Sequence, residues 1–306
     1  MRKSPGGARV LPRTVPGAAA AAIGGLYATA MPAAEASSVG AGAASCCNVV
    51  ELRQYTLQPQ RFDIFTALFE REFVEPQVAA GITVIGQFRD LDDPDRFVWL
   101  RGFTDMPSRA LALAAFYGGP AWQTHRDAAN ATMIDSDNVL LLRPLDVPAS
   151  FISDPDNRPS PGSRDRDEEL VVITLWYCAA PAIDGFANFF ARQIAPLLAQ
   201  CAAPVAASFV TEYSTNSFPA LPVREGEHVL LGVARFADHT AYARHVAALT
   251  HSTPWRATHA EALTRYLVRP AETLRLAPTA RSLLRGSHRQ MHVSTRSTSL
   301  STGDAS

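Results

Sequence analysis

Residues 49–57 read VVELRQYTL and have the alternation of a β-strand. Because successive side chains of a strand point to opposite faces, Val50 and Leu52 share one face, and Glu51, Arg53 and Tyr55 share the other. We expect helices to pack on the apolar face and a second sheet to cover the polar face. The polar face combines an acid, a base and a phenol, and any charge buried there must be paired.

The composition is that of a globular protein and excludes several functional classes. The 306 residues are 47% hydrophobic and 19% charged, enough for two domains with cores of ordinary size. The net charge of -1 predicts no nucleic-acid partner, and no apolar run is long enough for a membrane span. The four cysteines have neither a disulfide-framework nor a zinc spacing, so we expect no metal and a reducing, cytoplasmic compartment.

Residues 1–45 form an Ala- and Gly-rich leader that begins with basic residues. A basic start followed by a weakly apolar middle resembles a poor signal peptide, which leaves export as an alternative. Because several glycines interrupt the apolar part, we favour a disordered leader or a start codon placed too far upstream.

Residues 46–145 have the pattern strand–helix–strand–strand–helix–strand. Phenylalanines at positions 62, 65, 69 and 73 predict one helix over 61–78, and Asp105 is placed to cap a second. The predicted strands are 49–57, 83–88, 96–103 and 139–143. This is the ferredoxin-like order, in which the first and third strands are neighbours, so Arg53 and Arg101 are expected close together.

The same pattern returns over residues 170–279, after a Pro- and Asp-rich linker at 146–169. Residues 280–306 are predicted to be a disordered, solvated tail. When Val49-Val50 is aligned with Val171-Val172, the polar positions of the first strand and Arg101 fall opposite apolar ones. Glu51 aligns with Ile173, Arg53 with Leu175 and Arg101 with Ala234, whereas Tyr55 keeps its type as Tyr177.

Residues 49–144 resemble a NIPSNAP domain. The resemblance lies in Glu51-Leu52-Arg53-x-Tyr55, in the strand that precedes Asp105, and in Pro120-x-Trp122. Residues 170–279 resemble a second, diverged copy. The resemblance implies a dimeric α+β barrel fold, often with tandem domains, and a poorly defined biochemical activity. Eukaryotic members are associated with mitochondria and with vesicle or mitophagy partners, whereas the bacterial relatives are plain domain proteins.

The predicted fold is therefore α+β, with two tandem ferredoxin-like (βαββαβ) domains that form a pseudo-dimer of the dimeric α+β barrel type. The two halves either close one barrel alone or pair with a second copy in a homodimer.

Seven residues are candidates for a ligand-binding site in a small barrel cavity: Glu51, Arg53, Tyr55, Trp99, Arg101, Trp122 and His125. Arginine holds a carboxylate or another oxyanion through charge-assisted hydrogen bonds, and a buried Glu51 would serve as a general base. The alternative is structural, namely an internal Glu51–Arg pair and a helix face formed by Trp122 and His125.

These features leave three classes of function, and none of them specifies a reaction. The first is a small-molecule-binding α+β barrel without a cofactor, whose ligand is a small apolar or carboxylate-bearing compound. The second is a non-catalytic interaction or scaffold protein, as the resemblance implies. The third is a haem-binding barrel, by analogy with the wider superfamily, although the histidines of the second half lack metal-ligand spacing.

Overall fold

The computed structural model describes residues 47–145, 158–164, 169–180 and 183–286. Within these residues, eight strands form a closed barrel in the order β1-β3-β2-β8-β5-β7-β6-β4. The strands are β1 (Val49–Leu57), β2 (Thr83–Asp90), β3 (Arg96–Phe103), β4 (Met133–Pro144), β5 (Leu170–Tyr177), β6 (Val205–Thr211), β7 (Val229–Phe236) and β8 (Glu272–Pro278). We call β1–β4 with their helices the first half and β5–β8 with theirs the second half.

Each half contributes helices that connect its strands. The α-helices are α1 (Phe62–Glu72), α2 (Val74–Ala79), α3 (Met106–Gly118), α4 (Pro120–Asn130), α5 (Ile183–Phe189), α6 (Ala195–Gln200), α7 (His239–His251) and α8 (Ala260–Tyr266). Two π-helical segments, Phe190–Ile194 and Trp255–His259, lie between helices of the second half. The mixed α+β fold predicted from the sequence is confirmed.

The barrel closes within one chain. β2 pairs with β8 through Phe88 and Pro278, and β4 pairs with β6 through Leu142 and Thr211. A second copy is therefore not needed to complete the sheet, and the predicted homodimer stays a prediction.

The two faces of β1 are covered in the opposite way to the prediction. Val50 and Leu52 point into the barrel, where they pack on interior residues of the second half such as Ile173 and Leu231. Tyr55 lies on the outer face and packs beneath the helices with Phe65. The interior of an eight-stranded barrel is just wide enough to be filled by side chains, so here the apolar face fills it. The polar face is covered by helices and lies outside the barrel.

Several predicted boundaries change because tertiary packing overrides the local pattern. The helix predicted over 61–78 is interrupted at Phe73, which ends α1 and precedes α2. The strand predicted over 139–143 begins earlier, at Met133, because β4 pairs along most of β1. Asp105 caps α3 as predicted, since its side chain accepts a hydrogen bond from the backbone N–H of Ser108 at 2.7 Å.

Parts of the predicted tail and linker lie among the described residues and contact the first half. In the tail, Arg281 forms an ion pair with Glu75, and the backbone N–H of Leu284 donates to the Ile85 carbonyl at 2.9 Å. In the linker, Arg158 donates to the Arg281 carbonyl at 2.9 Å. Apolar and paired side chains in both segments give them partners that their composition does not indicate. The predicted leader (1–45) and the rest of the tail lie outside the described residues.

Among the described cysteines, Cys178 and Cys201 are free and buried, whereas Cys47 is disulfide-bonded. The cysteines therefore give no support to the expected reducing compartment. None of the helices in the described part of the chain has the length and apolar character required to cross a membrane.

Candidate functional site

The register of β1 and β3 brings the polar residues of the first half together. Glu51 lies opposite Arg101, and Arg53 lies opposite Trp99. All four side chains are at most 2% exposed and point toward the helices. The expected proximity of Arg53 and Arg101 is therefore present, on the outer face of the sheet.

Three guanidinium groups surround the single carboxylate of Glu51. Arg53 Nη1 and Arg101 Nε each donate to Glu51 Oε2 at 2.7 Å, and Arg109 Nε donates to Glu51 Oε1 at 2.6 Å. We call Glu51, Arg53, Arg101 and Arg109 the Glu51 cluster. Its formal charge is +2, since three positive groups share one negative group.

Arg109 is the member that the sequence analysis missed. It lies on α3, one turn after the capping residue Asp105, and is fully buried. A signal was present, because Ala112, Leu113 and Phe116 follow it at the spacing of one apolar helix face. An arginine on such a face needs a buried carboxylate as its partner.

Loop and helix residues complete the hydrogen bonds of the cluster. Arg109 Nη1 donates to Asn216 Oδ1 at 2.9 Å and to Ser217 Oγ at 3.1 Å, both from the loop between β6 and β7. Arg101 Nη1 lies 3.4 Å from Gln77 Oε1 on α2. No local sequence signal connects residues more than 100 positions apart, so the loop contacts are visible only in the structure.

Aromatic rings stabilise the excess positive charge of the Glu51 cluster. Arg53 Nε donates to the Tyr55 hydroxyl at 2.9 Å, and its guanidinium lies 5.7 Å from the centre of the Trp99 ring. Arg101 lies over the same indole at 5.1 Å. Cations over aromatic faces are stabilised by the ring quadrupole. Trp99 is therefore part of the electrostatic environment of the cluster as well as an apolar wall.

Two pKa values show how the cluster is ionised. Burial alone would raise the pKa of Glu51, but the positive charges of Arg101, Arg53 and Arg109 outweigh it and hold that pKa well below its ordinary 4.5. Burial raises the pKa of Tyr55 above its ordinary 10, against the opposing effect of Arg53. At neutral pH Glu51 is a carboxylate and Tyr55 a neutral phenol. A carboxylate with so low a pKa is a poor general base.

The other two predicted site residues, Trp122 and His125, lie on α4, and Trp122 lines one small cavity together with Tyr55 and Trp99. Trp122 packs against Phe73 and Tyr117 at ring distances of 5.5 and 4.9 Å. His125 is 29% exposed, and its Nε2 lies 3.2 Å from Glu72 on α1. A role for Trp122 and His125 in ligand binding stays a prediction.

The space beside the cluster is almost completely filled. A cavity of about 20 Å³ lies between Tyr55, Trp99, Gln77 and the aromatic side chains of the helices. This volume is enough for one water molecule. Among the described residues, none accepts a hydrogen bond from Trp99 Nε1, Arg101 Nη2 or Arg109 Nη2.

The corresponding region of the second half is open. β1 pairs with β3 and β5 pairs with β7, and both β3 and β7 end in a phenylalanine that fixes the comparison of the two registers. At the position of the pair Glu51–Arg101 the second half has Val172–Ala234. At the position of the pair Arg53–Trp99 it has Thr174–Gly232. The alignment with Ile173, Leu175 and Tyr177 is wrong by one residue, since those side chains point into the barrel. A shift of one residue moves a strand's side chains to the other face.

A cavity of about 410 Å³ lies between this part of the sheet and the helices, and we call it the second-half cavity. β5 contributes Val172 and Thr174 to its wall, β7 contributes Gly232 and Ala234, and α7 contributes His245. A Cβ atom at Gly232 would lie 3.1 Å from the Trp176 ring, so glycine allows the indole to pack on the strand. None of the described residues that line the cavity is an acid, a lysine or an arginine.

Fold and sites together define an α+β barrel protein with two contrasting sheet–helix interfaces, one filled by an ionic cluster and one open and apolar. Residues 50–148 match the NIPSNAP family model, so this chain contains a NIPSNAP domain, as its sequence motifs predict. No curated protein matches the chain in sequence.

Solved structures that match parts of this chain come from several bacteria. Proteins of Lactobacillus acidophilus and Fusobacterium nucleatum, both provisionally named monooxygenases, are 12% and 10% identical and have TM-scores of 0.46 and 0.48. The matches cover 75% and 78% of this chain, and 93% and 95% of those proteins. An uncharacterised NIPSNAP-like domain protein from Burkholderia xenovorans is 29% identical, covers 35% of this chain and 89% of its own, and has a TM-score of 0.29.

Proposed function

We propose that this protein binds an uncharged, apolar small molecule in the second-half cavity. The observation that carries the proposal is the cavity volume of about 410 Å³, set against about 20 Å³ beside the Glu51 cluster. Ligand pockets are typically about 300–1,000 Å³ and mostly apolar. The second-half cavity has the size and the lining of such a pocket.

The cavity arises because small side chains occupy the positions in β5 and β7 that correspond to the large polar and aromatic residues of β1 and β3. Where the first half has glutamate, two arginines and tryptophan, the second half has Val172, Ala234, Thr174 and Gly232. Each replacement is smaller, and Trp176 and Phe190 pack against the sheet at Gly232. An apolar pocket of this size between sheet and helices is the default candidate for a ligand site.

The lining supports an uncharged ligand. Burying a charge without a partner costs far more than burying an apolar group, and the described lining residues offer no ionic partner. A carboxylate-bearing ligand fits this cavity poorly for that reason. The same reason applies to haem, whose carboxylates would need basic partners, although His245 would supply an axial nitrogen.

The π-helical segments give independent support. Ile194 ends one of them and Trp255 begins the other, and both residues line the cavity. Single π-turns are rare and occur often at functional sites. Each π-helical segment therefore contributes one side chain to the wall of the same cavity.

We assign a structural role to the Glu51 cluster. It joins α3, β1 and β3 to the loop of the second half, and the adjacent space admits nothing larger than water. We also infer that the halves are diverged copies of one ferredoxin-like unit, with domains near 46–145 and 170–279. Their strand orders, β4-β1-β3-β2 and β8-β5-β7-β6, support this inference.

Filling the cavity tests the proposal. Ala234→Phe places a ring at the position of Arg101 in the first half, and we expect it to weaken the binding of the uncharged dye Nile red by at least about tenfold. Fluorescence titration of the full chain measures the effect. The matched control is Ala243→Phe, the same change at an exposed position of α7.

Equal dye affinity in wild type and Ala234→Phe, with both proteins folded by circular dichroism, would reject the second-half cavity as the binding site. No dye binding by the wild type would reject the proposed function and favour the scaffold alternative, in which the protein acts through its surface.

A further inference from the structure

The second-half cavity contains one buried imidazole whose orientation is fixed by the backbone. His245 lies on α7, is 8% exposed and lines the cavity. Its Nδ1 lies 2.8 Å from the carbonyl oxygen of Cys201. A carbonyl can only accept a hydrogen bond, so Nδ1 carries the proton. In the neutral ring, Nε2 is then an acceptor with a free lone pair.

The surroundings leave Nε2 available to a ligand. Phe236 and Tyr242 pack against the imidazole at ring distances of 5.5 and 6.4 Å. Within the described part of the chain, the Cys201 carbonyl is the one hydrogen-bond partner found for this ring. The nearby Thr264 hydroxyl donates to the Glu261 carbonyl at 2.6 Å, so that proton is already used.

We propose that His245 Nε2 accepts a hydrogen bond from a hydroxyl group of the ligand. The ligand is then a largely apolar cyclic alcohol or a phenol. This inference rests on the proposed function and specifies its ligand class. A few precisely placed polar groups orient ligands in otherwise apolar pockets, and His245 is suited to that role. The competing interpretation is that the imidazole only ties α7 to the turn at Cys201.

Two substitutions separate these roles. In His245→Asn the amide nitrogen can take the place of Nδ1 and keep the bond to Cys201, but no acceptor remains at the position of Nε2. In His245→Gln the longer side chain carries its amide to that position. The probes are 1-naphthol, which donates a hydrogen bond, and 1-methoxynaphthalene, which does not. Both are titrated against bound Nile red on the full chain.

The measured quantity is the ratio of the two probe affinities. A hydrogen bond is worth about 0.5–1.5 kcal/mol, so His245→Asn should reduce the preference for 1-naphthol by roughly two- to twelvefold. His245→Gln should retain most of it. An unchanged ratio in His245→Asn, with Nile red still bound, overturns the inference and leaves the proposed function intact. No Nile red binding by the wild type overturns both.

A measurement on the wild type covers the case in which a variant does not fold. The ¹⁵N chemical shift of His245 Nε2 should move on addition of 1-naphthol and remain in place on addition of 1-methoxynaphthalene. Equal responses to the two probes would overturn the inference. Titration with haem is the further control. If the wild type gives the Soret band of bound haem and His245→Gln does not, His245 is an iron ligand, and the proposed hydrogen bond to a hydroxyl group is overturned.

Discussion

Glu51→Gln is expected to lower the free energy of unfolding by about 3–5 kcal/mol, the typical cost of removing one partner from a buried ion pair. The variant leaves Arg53, Arg101 and Arg109 buried together without a carboxylate, since Glu51 is the acid that all three contact. A loss of this size is a large part of a domain's total stability of about 5–15 kcal/mol. Urea denaturation followed by circular dichroism measures it.

The matched control is Glu261→Gln, which removes the same charge from an exposed pair with Arg265. Surface ion pairs contribute about 0–1 kcal/mol, so the free energy of unfolding of this variant should be close to that of the wild type. A loss of less than about 1 kcal/mol for Glu51→Gln would mean that solvent or an anion reaches the three guanidinium groups, contrary to the packing described above.

The pH dependence gives a second readout of the same residue. The folded-state pKa of Glu51 lies below its ordinary 4.5, so the unfolded chain takes up the proton first as the pH falls. The stability that the carboxylate contributes is fully present above its unfolded-state pKa and is lost progressively as the pH falls toward the folded-state value. The gap between wild type and Glu51→Gln should therefore narrow below about pH 4.5, by up to about 1.4 kcal/mol per pH unit.

Replacing the whole Glu51 cluster by apolar residues tests whether it contributes to stability or instead holds the loop of the second half in place. Buried ion networks can often be exchanged for apolar side chains at little cost, so Glu51→Leu combined with methionine at all three arginines should be far more stable than Glu51→Gln. If this variant folds but leaves the loop at Asn216 and Ser217 detached, the cluster serves to join the two halves.

The sequence predicted the α+β class and the residues of the sheet's polar face, but placed that face on the wrong side. Alternation in residues 49–57 shows that Glu51 and Arg53 share a face, and it does not show what covers the face. That depends on closure of the barrel, which requires an apolar interior and pushes the charges beneath the helices. The pairing of β2 with β8 that closes the barrel is a long-range property.

The second-half cavity illustrates another limit of local patterns. β5 is apolar on both faces, so Val171 and Val172 can be aligned with Val49 and Val50 in more than one way. The pairing of Leu170 with Phe236 fixes the register and makes Val172, Thr174 and Gly232 the counterparts of the ionic residues. His245 had no distinguishing context in sequence, because its partner is a backbone carbonyl 44 residues away.

Trp99→Ala is expected to create a cavity in the first half, at the position that corresponds to part of the second-half cavity. The indole is 2% exposed, packs on Phe69 at a ring distance of 4.9 Å, and lies beneath Arg53 and Arg101. Truncating a buried tryptophan typically costs about 3–5 kcal/mol, part of it from the cavity left behind. Urea denaturation should show a loss in that range.

Added indole should restore part of the lost stability, because a ligand that binds only the folded state stabilises it by mass action. The experiment is done in the Ala234→Phe background, which narrows the second-half cavity, and the same titration of that background measures the indole that still binds there. Indole at ten times its dissociation constant should raise the free energy of unfolding by about 1.4 kcal/mol in Trp99→Ala, and by much less in the background alone. If indole has no effect and the loss of stability is small, the helices have collapsed onto the sheet. The open second-half cavity would then depend on its own helices, with their π-turns, and the small size of Gly232 would not account for it.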